Sequence, residues 1–397
     1  MASPASQPTA AQIAQANLAA RNVVTANSVR MKQQIFSQTV DPLAQNVLNV
    51  APRNVGIILG FIVEVTGGID NDSGVTITRT GFGNANMVKS FQFQDLNNYT
   101  RIQVPGWYLA ILNSARARMG YGGVYANNIP MGYGNNYPVY EGASSLATTI
   151  DTTLRMMYYV PLAYSPSDLR GAIYAATVSA TMNLQITLNQ LPVVASTVDP
   201  LNAIYVGTSP DTNINLAVWS DTVNVTVYQV YLDQIPRYSS GQSAGAPILP
   251  LQDLNTVYDL KQTTFPGITT GQDFPMAYSN FRSFLSTFVV YDNAGVYNPG
   301  SDINYFALAS ANFTNIFRLT PEVVALEQRS VFLTDTPLGT YWFESREIPI
   351  NTINYGNMEL NINASGASSG AQVLVGYESF GLVNQLVGAT SIASGNG

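Results

Sequence analysis

The side chains able to do chemistry in this sequence are few, and their spacing decides how far each can be taken. There is no histidine and no cysteine, so a Ser-His-Asp or Cys-His nucleophile, an imidazole general base, a thiolate site and a His-ligated zinc are all ruled out by composition. Asp70-Asn71-Asp72-Ser73-Gly74 places alternating oxygens before a glycine, as a calcium loop does. The acid expected at the twelfth position and the flanking helices are missing, so a hairpin turn is the better reading. Gly81-Phe82-Gly83 and Gly120-Tyr121-Gly122-Gly123 lack the Gly-Lys-Ser/Thr tail that lets a phosphate loop grip its ligand and read as bends. The carboxylate pairs Glu344 with Glu347 and Asp233 with Asp253 have the chemistry of a glycosidase, although sequence leaves their separation open. Trp107, Trp219 and Trp342 are candidate sugar platforms, or anchors of core and interface. No metal or cofactor site is expected, and the chain is read as a non-enzyme.

A basic cluster remains. Arg21, Arg30 and Lys32 are the charged residues of 9–40, which hold no acid; the other 14 bases face 24 acids, and the whole chain carries −7. Charge is therefore segregated. The three cations suit a solvated helix, an acidic neighbour or an anionic lipid surface, where each contributes on the order of 1 kcal/mol. An overall acidic chain lacks the clustered Lys and Arg of a nucleic-acid binder, so no direct sequence-specific nucleic-acid binding is expected.

The elements that must carry these residues follow from composition and period. The 397 residues are long enough for two domains and 46% apolar, yet only 10% charged, against about 25% in ordinary soluble proteins. Neutral amides supply the polarity instead: 36 Asn stand beside 41 charged residues. No run approaches the roughly 18 apolar residues of a spanning helix, and 1–11 has neither basic nor apolar signal regions. Synthesis in a cytoplasm is expected. Ala and Gln in 9–40, with Ile13, Ala16, Ala20, Val24, Met31 and Ile35 near helical spacing, predict a helical arm.

Beyond Pro52 the period becomes two. Val55, Ile57, Leu59, Phe61, Val63 and Val65 read as one face of a long strand, and strands recur at Phe93, 108–112, 156–160, 182–188 and 223–231. One helix is expected at 321–329. The 238–247 stretch, rich in Ser and Gly, reads as a linker. Across it the halves repeat in order: 90–95 with 286–292, 108–115 with 305–312, 182–186 with 358–362, and 223–231 with 373–380. Two copies of one β-sandwich are expected, with long insertions in the first. The insertion 119–142 holds Tyr121, Tyr125, Tyr133, Tyr137 and Tyr140 and suits a contact surface, or a loop folded onto its own sandwich.

Several segments resemble the major capsid proteins of tectiviruses, tailless icosahedral phages with an internal membrane. They are Asn54-Val55-Gly56-Ile57, Tyr159-Val160-Pro161-Leu162-Ala163-Tyr164-Ser165 with Asp168-Leu169, and Val230-Tyr231-Leu232-Asp233-Gln234-Ile235-Pro236. Further on come Ile248-Leu249-Pro250-Leu251 with Asp253-Leu254, Ser301-Asp302-Ile303-Asn304-Tyr305 with Ala311-Asn312-Phe313, Tyr355-Gly356-Asn357, and Gly376-Tyr377-Glu378. The resemblance is collinear over most of the chain; 1–40, 119–142 and 192–218 match poorly.

It implies an all-β double jelly roll, two tandem eight-stranded sandwiches, with an N-terminal helical arm at 1–40, a first roll at 41–240 and a second at 241–397. It further implies a homotrimeric, pseudo-hexagonal capsomer contacting neighbouring capsomers, the internal membrane, and minor capsid or vertex proteins of a virion. In that setting Arg21, Arg30 and Lys32 become membrane- or neighbour-contacting residues of an arm on the inner side. The alternative is a Tyr/Trp-rich β-sandwich adhesin or carbohydrate-binding protein; an outer-membrane barrel would need outward apolar bands.

Overall fold

The computed structural model describes residues 8–71, 76–116, 125–126, 129–130, 145–146, 152–176, 180–190, 193–195, 201–207, 218–219, 222–241, 243–297, 302–311, 313–332, 339–352 and 357–382. Most of the 70–74 turn and of the 119–142 insertion lies outside these. No helix among the described residues is long and apolar enough to cross a membrane.

The chain opens with helix α1 (Ala10–Asn27), whose Thr9 accepts from the Gln12 amide while the Gln12 side chain returns to the Thr9 amide, a reciprocal cap. Eight main strands follow: β1 (Val29–Val40), β2 (Val47–Val50), β3 (Ile57–Asp70), β4 (Val88–Gln94), β5 (Thr100–Val104), β6 (Thr152–Pro161), β7 (Asn183–Leu188) and β8 (Val223–Asp233). Eight more form the second half: β9 (Thr256–Pro266), β10 (Asp273–Ala277), β11 (Arg282–Asp292), β12 (Ile303–Ser310), β13 (Phe313–Leu319), β14 (Thr340–Glu344), β15 (Met358–Ala364) and β16 (Gln372–Leu382). Helices α2 (Gly106–Arg116) and α3 (Pro321–Phe332) fall at the same place in each half.

The strand orders are β1-β8-β3-β6 facing β2-β7-β4-β5, then β9-β16-β11-β14 facing β10-β15-β12-β13. Every second-half strand occupies the place of the strand eight labels earlier, so the chain is two jelly rolls of one topology. Burial follows the pleat. In β7 the pattern alternates strictly, with Leu184, Ile186 and Leu188 inward, and β8 does the same from Val223 to Val227. One core gathers Phe61, Phe91, Phe93, Leu184 and Val225 of the first roll. The other gathers Val289, Phe306, Leu360, Val375 and Tyr377 of the second.

Four expectations are corrected. Residues 29–40 are a strand, not the second half of a helical arm: β1 pairs along its length with β8, from Val29 opposite Asp233 to Val40 opposite Val223. The first roll therefore begins at β1, and the helix ends at Asn27. The apolar run at 108–112 is helical, buried almost all round, and such a short apolar run has no period of its own to separate helix from strand. The long strand does not keep one face, because a bulge at Leu59 opposite Val230 and Tyr231 turns it over. Ile57 and Leu59 thus pack with Val24 of α1, while Phe61, Val63 and Val65 enter the core. In the repeat, 182–186/358–362 and 223–231/373–380 are true counterparts, β7/β15 and β8/β16. The other two pairs are out of step: β4 corresponds to β12 and not β11, and α2 corresponds to α3.

Tyrosines supply much of the second core. Burial pushes the phenols of Tyr278 and Tyr377 well up, and raises Tyr99, half-buried between the rolls, to about 12. A group whose folded pKa exceeds its unfolded value of about 10 adds stability that is present below that value and lost as pH rises through the folded one. With no imidazole to titrate, the melting temperature is expected to be level from about pH 5.5 to 10 and to fall toward 12. Tyrosinate absorbance should rise with unfolding. Ionisation of the buried phenols in the folded protein below pH 11 would contradict this packing.

Candidate assembly surfaces and the junction between the rolls

The two rolls are joined through backbone, helix and buried charge. β5 and β9 run parallel, with Ile102 opposite Leu260 and Gln103 opposite Lys261, so the β2-β7-β4-β5 sheet of the first roll continues into the β9-β16-β11-β14 sheet of the second. Over this seam lies α2. Its Trp107 and Tyr108 rings stand 5.9 and 6.1 Å from Phe288 of β11. A Cβ on Gly376 of β16 would sit 2.4 Å from the Tyr108 ring, so only glycine allows this approach.

A charge cluster closes the same seam. Arg116, the last residue of α2, donates from Nε to Glu378 Oε1 at 2.9 Å and from Nη1 to Glu344 Oε2 at 3.0 Å. Glu378 also accepts from Ser286 Oγ at 2.7 Å and from the Tyr258 hydroxyl. Its carboxylate is completely buried, and such a charge is tolerated only when its lone pairs are filled. At the other end of the seam, Tyr99 Oη donates to Asp259 Oδ2 at 2.9 Å, and Arg282 bridges both, reaching Tyr99 Oη at 2.7 Å. Arg101 donates to Asp95 Oδ2 and to the Gly171 carbonyl, each at 2.7 Å. Gly171 has a φ of +91° and a Cβ there would meet the Leu162 carbonyl at 2.4 Å.

The three basic residues are not brought together. Arg21 on α1 makes a bidentate pair with Asp253, at 2.5 and 2.7 Å, beside Asn17 on the same carboxylate at 2.8 Å. Asp168 stands 3.7 Å away. The hydrogen bond to Asp253 holds the Arg21 guanidinium above its ordinary pKa. Arg21 is therefore a clamp that seats α1 against the start of the second roll. Arg30 and Lys32 lie on β1, opposite Leu232 and Val230, exposed on the outer sheet face.

Of the four candidate carboxylates, Glu344 and Asp253 have structural employment, whereas Asp233 and Glu347 are exposed. Glu344 accepts from Arg116 and from Trp342 Nε1 at 3.2 Å, and Asp253 is occupied by Arg21. Trp107 and Trp342 are buried and offer no sugar platform; the Trp219 side chain lies outside the described residues. Gly81-Phe82-Gly83 leads into a buried 3-10 turn, Gly83–Met87. A cleft of 880 Å³ at the foot of the seam is lined by Asp168, Arg170, Arg346 and Glu347 among others. Arg170 there is paired to Asp168 and Arg346 to Glu344.

Sequence reasoning missed Arg116, Glu378, Tyr99, Asp259 and Arg282. Glu378 alone carried a signal: a lone acid inside the alternating, otherwise uncharged 373–380 strand.

Comparison with known proteins agrees with this architecture. The family descriptions "P3 major capsid protein N-terminal" and "P3 major capsid protein C-terminal" match residues 4–235 and 255–394. Major capsid protein P3 of Enterobacteria phage PRD1 is 36% identical over 383 residues, covering 96% of this chain and 94% of that protein. Among solved structures, the major capsid protein of STIV superposes with a TM-score of 0.61 at 13% identity, over 89% of this chain and 97% of that one. The atomic structure of Sulfolobus Turreted Icosahedral Virus gives 0.60 at 13%, over 90% and 97%. These two likenesses concern the fold. With twin rolls, a seam filled by structural charge and this relation along nearly its whole length, the chain belongs to the P3 major capsid protein family and is a structural component of a virion shell, not an enzyme.

Proposed function

We propose that the chain acts as a homotrimeric capsomer of pseudo-hexagonal outline, tiling an icosahedral shell around an internal membrane and the genome. The observation that carries this is the duplication itself: two rolls of identical strand order in one chain give six similar lobes in three chains, and a closed cyclic arrangement uses one repeated contact. Neighbouring capsomers and minor capsid or vertex proteins are the partners of the outer surfaces. α1 is the contact element of the inner side, with Ile13, Leu18 and Val23 exposed along it. Arg30 and Lys32 face a neighbour or an anionic surface, whereas Arg21 seats the helix. The exposed residues 238–241 and 243–246, bracketed by the bridge between Arg237 and Pro247, separate the two halves. The subunit is made in the host cytoplasm.

Light scattering on the purified chain tests this. The expected mass is three chains of 42.8 kDa each, in particles that show three-fold outlines by electron microscopy. A monomer at micromolar concentration that binds glycan would support the adhesin reading and overturn this one.

A further inference from the structure

Trp107 and Tyr108 of α2 fill the seam against Phe288 of β11. At the foot of the same seam a cleft of 880 Å³ stays open, between 164–170 of the first roll and 346–349 of the second. Its volume lies within the range of about 300–1,000 Å³ usual for small-molecule sites. Leu285 of β11 and Phe380 of β16 give it a buried apolar lining. Arg170, Thr256 and Leu382 also line a second cavity, of 570 Å³, beneath α1, so the space runs on under the helix.

Arg170 is pre-set to receive an anion. Its guanidinium carbon lies 4.4 Å from the centroid of the Phe380 ring and 5.4 Å from that of Tyr164. Nε and Nη2 hold both oxygens of Asp168 at 2.6 to 3.0 Å. Stacked on an aromatic face and forked along one edge, the group has already lost the rotamer freedom that ligand binding would otherwise cost. Its remaining amino group, Nη1, has no hydrogen-bond partner among the described residues.

The facing roll contributes one charge of each sign. Arg346 Nε stands 3.8 Å from Glu344, beyond hydrogen-bond reach, and Glu344 already accepts from Arg116 and Trp342. Glu347 is exposed, lines the cleft, and makes no ion pair or hydrogen bond among the described residues. A ligand that meets this set carries an anion for two guanidinium groups and a cation for one carboxylate. Phosphate suits the planar fork of arginine, and a primary ammonium suits Glu347.

We infer that the cleft is a binding site for a phosphorylated amine, its phosphate held by Arg170 and Arg346 and its ammonium by Glu347. Phosphoethanolamine is the simplest such zwitterion, either free or as the headgroup of a lipid whose first acyl carbons lie along Leu285 and Leu382. The site is formed within one chain, so it stands whether or not three chains assemble.

Titration calorimetry on the purified full-length chain tests this with phosphoethanolamine, inorganic phosphate, ethanolamine, and dihexanoyl phosphatidylethanolamine below its micellar concentration. Phosphoethanolamine should bind with a Kd below about 1 mM, and phosphate or ethanolamine alone at least about tenfold more weakly. Glu347→Gln changes an exposed side chain, leaves the fold intact, and should reduce phosphoethanolamine to the affinity of phosphate. Arg170→Met keeps an apolar stem on Phe380 and should abolish binding of both; should that variant fail to fold, Glu347→Gln decides alone. A lipid affinity at least about tenfold above that of phosphoethanolamine assigns the site to a headgroup, and equal affinity assigns it to the free zwitterion. No saturation by about 10 mM phosphoethanolamine, or binding that Glu347→Gln leaves unchanged, would overturn the inference.

Discussion

Replacing Glu378 with Ala is expected to destabilise the folded chain by about 3–5 kcal/mol, the range for breaking a buried ion pair from one side. Three donors converge on that carboxylate: the Arg116 guanidinium, Ser286 Oγ and the Tyr258 hydroxyl. Alanine leaves all three without it. Arg116 keeps Glu344, which is partly exposed, but its buried end has no water to turn to. The cost is one of orphaned donors, not the net worth of the bridge, and this gives a second, sharper expectation. The double variant Arg116→Met with Glu378→Leu removes charge from both sides and fills comparable volume, so it should recover most of the loss. Guanidinium unfolding midpoints of the two singles and the double close the cycle. A Glu378→Ala shift under about 0.5 kcal/mol, the level of an ordinary surface substitution, would mean that this seam is not dry.

The same residues show what could be read from the sequence and what could not. β7 and the first half of β8 were legible because each buries one face and wets the other, which writes the pleat into the residue order; β15 and β16 are buried on nearly both faces and were found through the likeness of their residue pattern to β7 and β8. β1 was not, because it is an edge strand: Arg30, Lys32 and Gln34 lie outward, and its inward positions include Gln33 and Gln38. Its Ala- and Gln-rich approach favours helix locally, and only the ladder to β8 overrides it. α2 failed for the opposite reason, having almost no wet side to set a period. The seam was invisible in principle, since Arg116 and Glu378 are separated by 262 positions and Arg21 and Asp253 by 232. Charge counting therefore grouped Arg21 with Arg30 and Lys32, although the fold gives the first a buried partner and leaves the others on an outer face.

Two truncations separate the helix from the strand that follows it. Removing 1–27 takes away α1, including Val24, which is fully buried against Ile57, Leu59 and Ile62. Burying a side chain of that size contributes about 1.5–3 kcal/mol. Asp253 loses Arg21 and Asn17 in the same step, but the departing helix lets water reach the carboxylate, so no unpaired buried charge remains. The shortened chain should fold and form trimers, melt a few degrees lower, and assemble poorly into shells. Removing 1–35 also deletes β1 from Val29 to Ile35, exposing the β8 edge opposite Met31, Lys32 and Gln33 and uncovering part of the first core. An open apolar strand edge is a template for aggregation. Because the loss is a large share of a total stability of about 5–15 kcal/mol, this chain is expected to be insoluble or to lack a cooperative melt. Soluble yield and thermal unfolding of the two proteins side by side decide the matter. If the chain lacking 1–35 melts within a degree or two of the one lacking 1–27, then residues 29–35 are arm and not sheet, and the first roll starts later than β1.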